Sequence, residues 1–276
     1  MKYLIRRPLM LLLPVVLFFS CQKTLDEPDP VVPDPDPDPV VDSPGKFIPV
    51  KFIIQSDGKE HYDSLVYDAE NRLIAEWFLD PDGSGKIVYT YKNGQPASME
   101  YYTLFPEKLY EKSTYSDKVN NSVTETYTYF DEQDGTALTT TRTYLYNEKG
   151  QLYKGLLKDG TVFEELGWDE KGRLNTMWYK ESADLSFQFK YDDKKGIFSS
   201  VNAPFFFDAF LSTTIANFNI NNLTETAVTY KNSEGQTMVE KTTYSYTYND
   251  AGYPVTLSQA DQFGVLSAQI EYKEIK

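Results

Sequence analysis

From Phe47 onward, aromatic or apolar residues alternate with small polar ones in short runs. "TETYTYF" places Tyr127 and Tyr129 on one face and Thr126 and Thr128 on the other. "RTYLYN" does the same with Tyr144 and Tyr146, and "TTYSYTYND" with Tyr244, Tyr246 and Tyr248. A period of two, broken by Gly, Asn and Asp, predicts antiparallel strands joined by turns. About sixteen such runs are present, above the usual size of one sheet. The pattern predicts an all-β chain: a large antiparallel meander in a strongly curved sheet or barrel-like form.

One turn recurs between these runs. "YNEKGQL" begins at Tyr146, "YDAENRL" at Tyr67, "WDEKGRL" at Trp168 and "YNDAGYP" at Tyr248. An aromatic closes a strand. Asp or Asn follows, able to hydrogen-bond the backbone ahead of it. Gly comes three residues later, where a left-handed backbone is needed, and an apolar residue then starts the return strand. This is the chemistry of a short hairpin loop closed by a glycine bulge. Asn71 takes the glycine slot in "YDAENRL", and Asn is the next best residue there. Longer copies begin at Phe130, Tyr191 and Tyr230, and a shorter one at Tyr91; simpler turns, such as "KDGT" at Lys158, come between. From Tyr146 through Trp168 to Tyr191 the period is about 23 residues, a repeat-protein length.

Residues 202–222, "NAPFFFDAFLSTTIANFNINN", break the alternation. Phe207, Phe210, Leu211, Ile215 and Phe218 recur at helical spacing, with Pro204 near the start. They predict one short helical insert. It reads as a cap for an open end of the sheet, or as a lid or docking patch built on Phe206, Phe207 and Phe210.

The first residues are of another kind. Lys2, Arg6 and Arg7 precede "LMLLLPVVLFF", an apolar run too short to span a bilayer as a helix. It ends at "FFSC", and Cys21 is the only cysteine of the chain. Residues 1–20 therefore read as a signal peptide. Residues 21–45 read as Cys21 plus an acidic spacer, and 46–276 as one β-repeat domain. The spacer's "DEPDPVVPDPDPDPVVDSPG" favours an extended polyproline-type chain of roughly 60 Å at ~3 Å per residue. The net charge is −14, and loss of three signal-peptide cations makes it −17 (−14 minus 3). A basic footprint for nucleic acid is missing.

"FFSC" resembles a bacterial lipoprotein signal with Cys21 as the lipidated first residue, although Phe18 replaces the usual Leu. Looser versions of this kind resemble those of Bacteroidetes lipoproteins. "CQKTLDEPDP" resembles their surface-export signals, interrupted by Thr24 and Leu25. The resemblance implies an outer-membrane lipoprotein exposed at the cell surface, with an acidic linker on a periplasm-facing lipoprotein as the alternative. The "Y-D-x-x-G-x-L" unit resembles the YD repeats of the RHS family, which build β-shells. The whole arrangement more closely resembles an uncharacterised family of Bacteroidetes lipoproteins with a porin-like fold, which carries no activity over to any residue.

Chemistry is sparse. His61 is the only histidine, so a two-histidine metal motif cannot form, and the resemblance to a lipoprotein signal assigns Cys21 to lipid, which takes it out as a cysteine nucleophile. No nucleophile elbow occurs. In "DPDGSGKIVY", Asp80, Asp82 and Ser84 fall on the first, third and fifth positions of a calcium loop, but the twelfth is Tyr91 rather than Glu; a plain turn is the competing reading. No other cofactor is indicated. Trp77, Trp168 and Trp178 are candidate stacking platforms for sugar rings, against a packing role across strands. The expected function is a surface-tethered binding or scaffold module, without catalysis, for a glycan or an envelope protein. Its rivals are a carbohydrate-active hydrolase with an Asp/Glu pair and an outer-membrane barrel. Strands bearing Thr, Lys and Glu argue against the last.

Overall fold

The computed structural model describes residues 45–56, 58–79, 83–131, 135–180, 185–202, 220–262 and 264–275. The signal segment, Cys21, the spacer up to residue 44, Asp80, Asp82 and the Phe206, Phe207 and Phe210 cluster lie outside them, as does the predicted helix over 207–218. The described residues form sixteen strands. They are β1 (Lys46–Ser56), β2 (Lys59–Tyr67), β3 (Leu73–Leu79), β4 (Gly85–Lys92), β5 (Gln95–Leu104), β6 (Glu107–Tyr115), β7 (Ser122–Phe130) and β8 (Ala137–Tyr146). Then follow β9 (Leu152–Leu157), β10 (Val162–Trp168), β11 (Leu174–Tyr179), β12 (Leu185–Tyr191), β13 (Leu223–Lys231), β14 (Thr237–Tyr248), β15 (Pro254–Asp261) and β16 (Gly264–Ile275). Each pairs antiparallel with its neighbours in sequence, and β1 pairs with β16, so the sheet closes into a barrel. Closure removes both edges. The insert therefore has no sheet edge to cover.

An up-and-down meander puts odd and even connections at opposite ends. Turns beginning at Tyr67, Tyr91, Tyr146, Trp168, Tyr191 and Tyr248 all follow even-numbered strands. They share one end, here the long-turn end, with the start of β1 and the finish of β16. The copies at Phe130 and Tyr230 follow β7 and β13 and lie at the far end. These copies resemble the others in sequence, but strand parity puts them at the opposite end.

Asx side chains build the turns. Asn147 Oδ1 accepts the backbone N–H of Lys149 at 3.0 Å and of Gln151 at 2.9 Å. Asp68 and Asp169 do the same in their own turns. Gly150 takes φ +77° and Asn71 takes φ +59° at the equivalent place, the left-handed region that Gly and then Asn tolerate best. A register shift follows in all six of these hairpins. The extra residue lies in the return strand, for example Ile74 between the pairs Val66–Ala75 and Tyr67–Leu73.

The bulge interrupts the ladder beside a leucine carbonyl, and an aromatic from the neighbouring strand takes that carbonyl. Tyr91 Oη donates to Leu73 O at 2.7 Å, Trp168 Nε1 to Leu152 O at 2.6 Å, Tyr191 Oη to Leu174 O at 2.5 Å and Tyr246 Oη to Leu223 O at 2.7 Å. These aromatics point inward. The long-turn half of the barrel is thus filled by the leucines, by Tyr89, Met99, Tyr144, Phe163, Met177 and Phe189, and by the flank of the insert: Ile197, Phe198 and Val201 are buried there. Asn222, fully buried, ties this flank down. Its Oδ1 accepts Ile197 N–H at 3.0 Å and its Nδ2 donates to Asp192 Oδ2 at 3.1 Å.

Candidate functional site

Cross-strand partners share a face, so register and burial sort every strand residue to the lumen or to the outer wall. The lumen receives tyrosines and acids. Glu125, 1% exposed, accepts from Ser113 Oγ at 2.6 Å and Tyr144 Oη at 2.9 Å, and Arg142 lies 3.5 Å away. Arg142 also sits over the rings of Tyr127 and Phe163 at 5.2 and 5.4 Å. Burial, then the charge of Glu125, pushes the Tyr144 phenol well up, so it remains a donor. This is a buried charge that has its partners, a structural device rather than a free acid. Glu76 differs: its Oε2 is buried without a hydrogen-bond partner among the described residues. Burial, with a smaller contribution from Asp63, pushes its carboxyl up to about 8.

The outer wall is hydroxyl-rich and charged. Thr124, Thr126 and Thr128 pair with Thr143, Thr141 and Thr139. Glu225 is bridged by Lys190 at 3.0 Å and Lys241 at 3.3 Å. Glu165 is bridged by Lys154 at 3.3 Å and Lys180 at 3.1 Å, and Glu100 by Lys112 at 2.7 Å.

The three tryptophans do not meet. Trp168 is inside, bonded to Leu152 O and packed beside Leu174 and Met177. Trp77 on β3 and Trp178 on β11 are on the outer wall, 38% and 39% exposed. They are eight strands apart (11 minus 3) in a ring of sixteen, hence on opposite sides. Trp77 adjoins Lys86, whose Nζ stands 5.3 Å from its ring and 2.7 Å from Glu107. Ser84, the described member of the calcium-loop residues, accepts Leu104 N–H through its backbone carbonyl at 3.0 Å. His61 lies on β2 opposite Ile54, on the lumen side.

The outer wall also holds a groove of about 450 Å³, crossing β2, β1, β16 and β15. Two rows of paired residues form it. One runs Tyr62–Ile53–Gln269–Thr256, and the next runs Glu60–Gln55–Ser267–Ser258. Lys51 closes one side, its Nζ 5.0 Å from the Tyr62 ring centroid and 3.8 Å from Glu271. Glu60 is the one carboxylate of the lining, and it accepts from Gln55 Nε2 at 2.5 Å. Nothing in the sequence singled these residues out. Serine and glutamine in a strand carry no local signal, and the groove's midline is the junction of the first and last strands.

Fold and surface together define a closed, all-antiparallel sixteen-stranded β-barrel with an occupied long-turn half and a polar outer wall. No family model and no curated protein sequence matches the chain. Among solved structures it is similar to a porin-like protein from Bacteroides uniformis, at 16% identity over 84% of this chain and 97% of that one, with a TM-score of 0.47. A likeness to the TcdB2-TccC3-Cdc42 structure has 10% identity, 81% of this chain, 15% of that one and a TM-score of 0.21. Neither reaches a TM-score of 0.5, and the barrel's architecture stands on its own strand pairing.

Proposed function

We propose that the chain is a cell-envelope lipoprotein. In this reading a water-exposed barrel is tethered to the outer membrane through lipid on Cys21 and faces the cell surface. It acts without catalysis, as a binding or scaffold module for a glycan or an envelope protein. The observation that carries this reading is the outer wall. The clusters Lys190–Glu225–Lys241 and Lys154–Glu165–Lys180 lie on the outer wall, the face that a membrane barrel turns to lipid. A lysine or arginine at the bilayer midplane costs about 2–4 kcal/mol, so such a wall belongs in water. Membrane attachment then falls to the lipid, with the Asp/Pro spacer entering the barrel at Lys46. A hydrolase needs two facing carboxylates; Glu60 stands alone in the groove lining, bound to Gln55.

Cell fractionation of Cys21→Ser tests the tether. The expected outcome is loss of the protein from washed membranes. Retention of the variant in membranes through an alkaline carbonate wash would show strands in lipid and overturn the reading.

A further inference from the structure

We infer that the groove across β2, β1, β16 and β15 is a binding site for a neutral oligosaccharide. The inference rests on the binding-module reading and gives it a location and a ligand class. Four strands at about 4.8 Å spacing make a trough roughly 14 Å long, and adjacent rows on one face lie about 7 Å apart. That outline is elongated, like a short glycan chain, and its volume of about 450 Å³ falls within the ~300–1,000 Å³ of small-molecule sites.

The floor is made of short hydroxyl side chains, Thr256, Ser258 and Ser267, beside the amide of Gln269. Hydroxyls and amides both donate and accept, which suits sugar hydroxyls that do the same. Ile53 and the Tyr62 ring supply apolar surface for the C–H faces of a sugar, the ring standing as a wall beside Lys51. Charge narrows the class. Lys51 and Glu60 cancel within the lining, and Lys51 has Glu271 at 3.8 Å. A chain carrying −14 overall gives a polyanion no steering toward this place. The exposed Trp77 and Trp178, eight strands apart (11 minus 3), cannot serve the same ligand chain.

The test is calorimetric titration of the purified full-length lipoprotein in detergent micelles. The probes are neutral gluco-, manno- and galacto-oligosaccharides, with a sulfated oligosaccharide as the charged control. The expected result is saturable binding of a neutral probe. Tyr62→Ala and Gln269→Ala should weaken it roughly tenfold or more, and Ser267→Trp, which fills the trough from an exposed position, should abolish it. Trp77→Ala and Trp178→Ala should leave it unchanged. Thermal melting of each variant checks that the barrel stays closed. Binding that survives both Ser267→Trp and Gln269→Ala overturns the assignment, as does loss confined to the tryptophan variants. Binding of the sulfated probe alone, or of no neutral probe, also overturns it. The Cys21→Ser fractionation judges the tether separately, so a failed groove and a failed tether give different results.

Discussion

Tyr91, Tyr191 and Tyr246 each give a phenol proton to a leucine carbonyl beside a bulge. Tyr67 and Tyr272 are equally aromatic and equally interior, yet their hydroxyls are buried without a hydrogen-bond partner among the described residues. The two groups must respond differently to loss of one oxygen. Removing the donor leaves a carbonyl unpaired, so Tyr91→Phe, Tyr191→Phe and Tyr246→Phe should each destabilise by about 0.5–1.5 kcal/mol. Tyr67→Phe and Tyr272→Phe should stay within about 0.5 kcal/mol of the parent or gain stability. Urea denaturation with unchanged m-values decides this. A second residue-scale consequence concerns Glu76. Its carboxyl is raised to about 8 in the fold, by burial first and Asp63 second, from about 4.3 in an open chain. Below the unfolded value both states hold the proton and the site carries no penalty. As pH rises from about 4.3 to about 8 the unfolded chain gives up this proton while the folded state keeps it, so stability falls across that window and levels off once the folded carboxyl ionises. Glu76→Gln should flatten that decline between pH 5 and 9 in thermal melts. An identical decline in the variant would exclude Glu76 as its source.

A hairpin here is a turn, a bulge and a borrowed donor acting together. Asn147 holds two backbone N–H groups and the side chain of Gln151, the last at 2.9 Å. In the Asp turns Arg replaces Gln: Arg173 Nε reaches Asp169 Oδ2 at 2.7 Å, and its guanidinium lies 4.9 Å from the Tyr191 ring. Burial acts to raise the Asp169 carboxyl, but the hydrogen bonds and charge of Arg173 outweigh it and hold the group below the ordinary range. Asn147→Ala should cost roughly 1–2 kcal/mol through the lost Asx bonds. Asp169→Asn keeps those acceptors, so its loss should be smaller at pH 7 and should shrink progressively as the pH falls through the lowered Asp169 range; chemical denaturation over a series of acidic pH values compares them. The turns, their Asn71 exception and the inward–outward split of Tyr and Thr were legible in the chain because each is decided within about ten residues. The leucine carbonyls' donors were not, since Trp168 and Leu152, sixteen positions apart, meet only once a bulge has freed the carbonyl. Burial of Glu125 beside Arg142 was equally hidden: alternation assigns both to one face but does not say that the face is the lumen.

At the scale of the molecule, one junction differs from the other fifteen. Fifteen strand pairs are joined by neighbours in sequence, whereas Lys46 meets Ile275 and Ile53 meets Gln269 across the length of the chain. No local pattern announces that contact, which is why alternation alone predicts a curved or barrel-like sheet and not the pair that closes it. Deleting β16 should leave hairpins with an open edge at β1 and β15. Gel filtration should show such a chain as oligomers or aggregate, because long unpaired edges associate; a stable monomer of native melting temperature would exclude a closing role for β16. The junction also sets an order of events in the cell. Synthesis delivers β1 first among the strands and β16 last, so each hairpin can zip as it appears, β1 with β2 included, while the other edge of β1 waits for β16. Ring closure bears the entropy of a loop spanning nearly the whole domain, and such long-range pairing is slow and exposed to aggregation. The nascent barrel therefore has a vulnerable interval that ends only when β16 arrives, and through it a chaperone has two edges to shield, β1 and whichever strand was added last.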